Sequence, residues 1–144
     1  MRNTMSVQPT SKSASSLKHR QSILTSTLWI IQGLLALLFL FAGSMKLIVP
    51  IQILLAQMPL PLPGLFLKFI GVAEVAGAIG LILPGLLRIR PILTPLAACG
   101  LLIIMIGATV VLLAGGEVVP ALLPLVVGLL CTVVAFGRRS WGLA

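Results

Sequence analysis

Two side chains of opposite charge lie inside long apolar runs, where charged groups are rare. Glu74 lies near the middle of the run 65–83, and Lys46 lies close to the end of the run 28–49. An acid at the centre of a membrane costs about 2.5–3.5 kcal/mol on insertion scales, so such residues face protein or a wet cavity. Helical side chains lean toward the N-terminus of their helix, so Lys46 and Glu74 on antiparallel helices would converge. We therefore predict an intramembrane polar pair of Lys46 and Glu74.

Each of these two residues also has a simpler interpretation. The alternative for Lys46 is a charge whose ammonium extends along the helix to the membrane surface. The alternative for Glu74 is a protonated carboxyl that hydrogen-bonds between helices. The sequence leaves both alternatives open.

Three further side chains in the apolar runs can form hydrogen bonds or carry thiol chemistry. We expect Gln32 to form a hydrogen bond across helices. Cys99 and Cys131 lie in apolar stretches without CxxC spacing. They are either a thiol pair in one half of the membrane or, as is more usual for isolated membrane cysteines, small apolar side chains.

The apolar runs that carry these residues predict membrane-spanning helices. The chain has 144 residues, is 59% hydrophobic and 8% charged, and has a mean hydropathy of +1.22. Soluble domains carry about 25% charged residues, and about 20 apolar residues cross a bilayer. The predicted spans are about 28–49, 65–83, 92–114 and 118–136. The predicted fold class is all-α, a membrane-spanning four-helix bundle.

The predicted organisation has three parts. Residues 1–26 are expected to be a disordered, basic, Ser-rich tail, residues 27–137 the membrane domain, and residues 138–144 a short basic end. The first apolar run is longer than the apolar core of a signal peptide, so we expect it to remain uncleaved. Eight of the ten Lys and Arg residues fall on the side of the chain termini, which predicts that both termini are cytoplasmic.

Small residues in the spans predict where helices pack, because they let two backbones approach closely. The predicted packing residues are Gly43, Gly71, Gly77, Gly100, Gly107 and Gly128.

Charge and residue types exclude several functions. The net charge is +8, but the basic residues border apolar segments, where they indicate topology and lipid contacts rather than nucleic-acid binding. The sequence has one histidine and lacks the spacing of a haem, metal or phosphate-loop motif. We therefore predict no catalytic residue and no metal, and an enzyme is the less favoured interpretation.

Three segments resemble the DoxX-like family of small four-helix membrane proteins. They are FLFAGSMKL in the first span, GVAEVAGAIGLILP in the second and RPILTPLAACGLLIIMIGA in the third. The resemblance covers about Leu28 to Phe136 and puts Gly43, Lys46, Gly71 and Glu74 on the family's motif positions. It implies a four-helix bundle in the bacterial cytoplasmic membrane. It also implies redox-associated accessory or assembly roles, since the family takes its name from a subunit associated with a terminal quinol oxidase.

The expected function is that of an accessory or assembly subunit of a membrane system, respiratory or redox in kind. The alternatives are a quinol-binding redox subunit, with quinone as its cofactor, and a small transporter or proton path centred on Glu74. The accessory role predicts no cofactor. The expected partners are the lipid bilayer, another membrane protein and, as an option, further copies of the chain. The expected location is the cell (cytoplasmic or inner) membrane.

Overall fold

The computed structural model describes residues 11–139, which form five helices and no strand. The helices are α1 (Ser11–Ile48), α2 (Ile51–Ala56), α3 (Gly64–Leu87), α4 (Leu93–Ala114) and α5 (Val118–Arg139). Four of them, α1, α3, α4 and α5, are long and apolar enough to cross a membrane. The predicted all-α, four-span fold class is thereby confirmed.

The four long helices form one bundle in the order α1, α3, α4, α5. The largest contacts join α1 to α3 and α4 to α5, with smaller ones between α3 and α4 and between α1 and α5. Short connections over residues 88–92 and 115–117 make α3, α4 and α5 successively antiparallel. The bundle therefore has two ends. One is the end where α3 and α5 finish and α4 begins, and the other is the end that carries α2.

The bundle interior is apolar and closely packed, and its outer surface is also apolar. Leu35, Phe39, Leu81, Leu101 and Cys131 are buried in the core. Large apolar side chains cover the outside as well, among them Leu37, Phe69, Ile103 and Leu129. An apolar surface of this extent suits hydrocarbon as its solvent, because it would be unfavourable in water.

The first helix begins earlier than the sequence predicts. Residues 11–26, predicted as part of a disordered tail, belong to α1, and residues 1–10 of that tail lie outside the described part of the chain. No proline or glycine occurs between residues 11 and 32, so nothing in the sequence interrupts a helix that extends backward from the membrane span. The predicted C-terminal end differs similarly, since α5 continues through Arg139 and residues 140–144 lie outside the described residues.

The second long helix ends later than predicted. The predicted span ends at residue 83, yet α3 continues through Pro84 to Leu87. A proline removes one backbone donor from a helix, and packing against neighbouring helices compensates for that loss, since Pro84 is buried. The helix ends instead at Leu87, and the next residue, Arg88, caps it with a φ of 52°, in the left-handed region.

The segment between α1 and α3 lies against one end of the bundle. Its short helix α2 contacts α3 and buries Leu54. A Cβ added to Gly115, at the end of α4, would clash with Cβ of Pro59. This apolar connection therefore reaches the ends of both α3 and α4.

Candidate functional site: an intramembrane ion pair and a buried arginine

The structure brings Lys46 and Glu74 together between α1 and α3. The ammonium Nζ of Lys46 donates to Oε1 of Glu74 at 3.0 Å and to Oε2 at 2.8 Å. Glu74 is 2% exposed, whereas the Lys46 side chain is 24% exposed. The carboxylate is therefore enclosed by protein rather than lipid, and the ammonium that neutralises it approaches from the side of the α2 end.

Two glycines make this contact close enough for the ion pair to form. A Cβ added to Gly43 would lie 2.7 Å from the carbonyl oxygen of Gly71 and 2.8 Å from Cγ2 of Val75. A Cβ added to Gly71 would lie 3.0 Å from Cβ of Lys46. Each charged residue follows one of these glycines by three positions, which is nearly one helical turn. The two glycines allow the backbones of α1 and α3 to come close, and the Lys46 and Glu74 side chains pair beside this contact.

The other predicted packing glycines divide into two groups. A Cβ on Gly77 would lie 2.6 Å from Cδ2 of Leu101, and a Cβ on Gly128 would lie 3.3 Å from Cβ of Met105. Gly100 and Gly107 differ, because nothing lies within 4 Å of an added Cβ at either position. These two glycines face away from the helices of their own bundle.

A second polar cluster, which we call the arginine cluster, lies near the opposite end of the bundle. It consists of Trp29, Gln32 and Arg138. Gln32 Nε2 donates to the carbonyl oxygen of Leu81 at 2.6 Å, and Gln32 Oε1 accepts from Nε of Arg138 at 2.6 Å. The Arg138 guanidinium carbon also lies 5.0 Å from the centre of the Trp29 ring, a cation–π distance. The cluster ties α1 to both α3 and α5.

The sequence does not predict the contacts that Arg138 and Lys68 make. Arg138 was interpreted only as a topology charge, yet it is 2% exposed. Its spacing of four from Val134 and seven from Cys131, both buried, was the available signal that it shares their helix face. Lys68 Nζ donates to the carbonyl oxygens of Leu47 at 2.7 Å and Val49 at 2.8 Å. It therefore satisfies carbonyls at the end of α1.

The cysteines and other ligand-type residues are dispersed. Cys99 is exposed and Cys131 is buried, and both are free thiols. Across residues 11–139, no group of three or more His, Cys, Asp or Glu residues lies close enough to hold a metal ion. The site thus consists of a closed ion pair and a separately anchored arginine.

Four apolar helices around an enclosed Lys–Glu pair define a multi-pass integral membrane protein. The sequence model of the DoxX-like family matches residues 30–134. This match covers most of the chain, so the chain belongs to the DoxX-like family. No curated protein and no solved structure matched the chain in the comparisons made with them.

Proposed function

We propose that this chain is an accessory or assembly subunit that binds another membrane protein through the exposed face of α4. The observation that carries the proposal is the pair of open glycines, Gly100 and Gly107, in the middle of an exposed helix face. Ile103 and Val110 share this face, at 70% and 59% exposure. Together these four residues are called the α4 face.

The α4 face has the composition of a helix contact. Each glycine in a helix interior costs roughly 1 kcal/mol relative to alanine, and bundle contacts do not explain Gly100 or Gly107. By contrast, added Cβ atoms at Gly43 and Gly77 would meet neighbouring helices at under 3 Å. Helix association in lipid depends on small residues that allow close backbone approach. A transmembrane helix of a second polypeptide is the occupant that suits two glycines seven residues apart.

The ion pair supports an accessory role more than a transport or quinone role. Both carboxylate oxygens of Glu74 accept from one ammonium, and the carboxylate is 2% exposed. A proton path or a quinone site centred on Glu74 would require Lys46 to leave first. As a fixed contact, the pair instead holds α1 against α3 and so keeps the bundle rigid for a partner.

The partner class and location rest on the sequence. The family resemblance favours a respiratory or redox system in the cell membrane. The concentration of Lys and Arg at the end where α4 begins favours a cytoplasmic location for that end. Deleting the gene and measuring quinol oxidation in the membranes tests the respiratory assignment, and unchanged oxidation would contradict it.

The α4 face is tested by mild extraction of the tagged chain from its native membrane, followed by native mass spectrometry. We expect a second polypeptide with the wild-type chain and at least a tenfold loss of it with Gly107→Leu. Gly33→Leu is the matched control, because an added Cβ on Gly33 also has nothing within 4 Å. Equal retention by both variants, or an added mass equal to this chain itself, would contradict the proposal.

A further inference from the structure

The N-terminal part of α1 extends beyond the end of the bundle. Leu28 lies level with the end of α5, since a Cβ added to Gly137 would lie 2.8 Å from Cδ2 of Leu28. Trp29 lies likewise against Gly85, near the end of α3. Every residue from Lys12 to Leu24 is exposed. At 1.5 Å per residue, residues 11–27 project about 25 Å past the bundle. We call them the α1 extension.

Apolar residues repeat along α1 with the alternating three- and four-residue spacing of a heptad. The a and d positions are Ala14, Leu17, Gln21, Leu24, Leu28, Ile31 and Leu35, and Gln21 is the polar member. Inside the bundle this face is packed, because Ile31 contacts the core and Leu35 is 2% exposed. A straight helix drifts only about 20° per heptad, so the same face continues along the α1 extension.

In the α1 extension this face has no cover from the bundle. Leu17 is 59% exposed and Leu24 is 64% exposed. We call Ala14, Leu17, Gln21 and Leu24 the extension stripe. Its helix continues from the membrane span, so the costly first turn is already formed. The stripe is therefore presented on a preformed helix, with the a and d pattern that packs against a second helix.

The charges beside the extension stripe are all basic. Lys18 occupies an e position and Arg20 a g position, the two places from which side chains pair with a partner helix. The sequence has no acidic residue before Glu74, and its other acid, Glu117, lies at the opposite end of the bundle. A second copy of the chain would thus bring basic flanks and no acid. Charge complementarity instead favours a different helix with acidic flanks.

The membrane is too far away to cover the extension stripe. Leu17 and Leu28 are eleven residues apart, so Leu17 lies about 16 Å beyond the bundle end along the axis of α1. The headgroup layer adds about 5–8 Å on each side of the hydrocarbon. Side chains of α1 also lean toward its N-terminus, which is away from the bilayer. Hydrocarbon therefore cannot bury Leu17 on this continuous helix.

We propose that the extension stripe binds a helix of another protein as a two-stranded coiled coil outside the membrane. The partner helix carries apolar residues at its a and d positions and Asp or Glu at its e and g positions. Its apolar residues bury Leu17 and Leu24, and its acids pair with Lys18 and Arg20. The proposal does not rest on the α4 face, because that face lies on another helix within the membrane-spanning part.

The test uses the full chain in nanodiscs of phosphatidylcholine and a fluorescent three-heptad peptide. This acidic peptide has Ile at a, Leu at d, Glu at e and g, and one Asn at its central a position, to lie opposite Gln21. A basic peptide with Lys at e and g is the matched probe. Fluorescence anisotropy measures both affinities. We expect the acidic peptide to bind at least tenfold more tightly than the basic one.

Substitutions locate the binding on the extension stripe. Leu17→Ser and Leu24→Ser should each weaken binding of the acidic peptide at least tenfold, because each removes a buried leucine from the interface. Ile23→Ser is the matched control. It removes an apolar side chain that is 53% exposed on the same extension but lies at a c position, and it should change the affinity less than twofold.

A second pair of substitutions tests the charges. Lys18→Glu should weaken binding of the acidic peptide about fivefold and strengthen binding of the basic peptide, since it reverses the charge at an e position. Lys12→Glu makes the same charge change at an f position, on the far side of the helix. It should change either affinity less than twofold.

Two sets of results would overturn the proposal. The first is an acidic peptide that does not bind, or that binds Leu24→Ser as tightly as the wild-type chain. The second comes from a photoreactive benzoylphenylalanine in place of Leu17. Its crosslinking to phosphatidylglycerol in nanodiscs, to residues 140–144 or to a second copy would give the stripe another occupant. Neither set bears on a partner at the α4 face, so failure here is distinguishable from failure of the proposed function.

Discussion

The ammonium of Lys46 lies 2.8 Å from Oε2 of Glu74, beside the close backbone contact between Gly43 of α1 and Gly71 of α3. The contact is unequal, because the carboxylate is enclosed and the lysine remains partly accessible. Removing the lysine would therefore leave a buried negative charge, whereas removing the acid would leave an ammonium that can reach the membrane surface.

The first prediction concerns this inequality. Lys46→Met should lower the free energy of unfolding by about 3–5 kcal/mol, the cost of a buried charge that has lost its partner. Glu74→Gln should cost less, about 1–3 kcal/mol, because a neutral amide replaces the acid. The double variant Lys46→Met/Glu74→Leu should be more stable than Lys46→Met alone. Unfolding in mixed detergent measures all three, and a double variant no better than Lys46→Met would refute the argument.

The second prediction concerns the glycines of α1. Gly43→Ala should lower stability by about 1–3 kcal/mol, because the added methyl group would meet the Gly71 carbonyl oxygen and force the helices apart. Gly33→Ala should be neutral or stabilise by up to about 1 kcal/mol, since its added Cβ has no neighbour within 4 Å. The same unfolding measurement compares them. Equal effects of the two substitutions would show that backbone approach at Gly43 does not limit packing.

The third prediction concerns the arginine cluster. Gln32→Leu should lower the free energy of unfolding by about 1–3 kcal/mol, because Arg138 Nε loses the acceptor that Gln32 supplies inside the bundle. Gln52→Leu is the control, since Gln52 lies exposed on α2, and surface changes are usually within about 0.5 kcal/mol. Thermal unfolding monitored by Trp fluorescence tests the pair. Equal melting temperatures of the two variants would show that the arginine cluster contributes little to stability.

The fourth prediction concerns backbone strain at Arg88. Its left-handed conformation, φ 52°, costs a residue with a Cβ about 1–2 kcal/mol and costs glycine little. Arg88→Gly should therefore raise the free energy of unfolding by about 1 kcal/mol. Arg88→Ala retains the strain and should not raise stability. Calorimetry measures the stability of both variants, and no gain in the glycine variant would contradict the assignment of strain.

The pattern of hydropathy predicts the four spans well, because about 20 apolar residues have few alternatives to a membrane helix. The convergence of Lys46 and Glu74 was also predictable, since an acid at mid-membrane depth usually faces protein or a wet cavity and pairs with another polar group. The end of α3 was not. A proline such as Pro84 ends a helix or is tolerated within one according to the packing around it, and that packing depends on residues far away in the chain.

The burial of Arg138 shows a different limit. A basic residue at the end of a span has the same local sequence whether it points to water or to the bundle interior. Only its spacing from the buried Val134 and Cys131 distinguishes the two orientations. That spacing is a weaker signal than the usual position of arginine at a membrane edge, which favours exposure. Gly100 and Gly107 show the converse, since their spacing indicates a contact without saying with which molecule.

The hydrogen bond from Gln32 to the Leu81 carbonyl and the ion pair of Lys46 with Glu74 lie 14 residues apart on α1, about 21 Å along its axis. A slip of α1 along α3 by one helical turn, about 5.4 Å, would break both at once. Two polar contacts at separate heights therefore oppose sliding of α1 along α3. The hydrogen bond from Arg138 to Gln32 adds a contact between α1 and α5 at the height of the first of these two contacts.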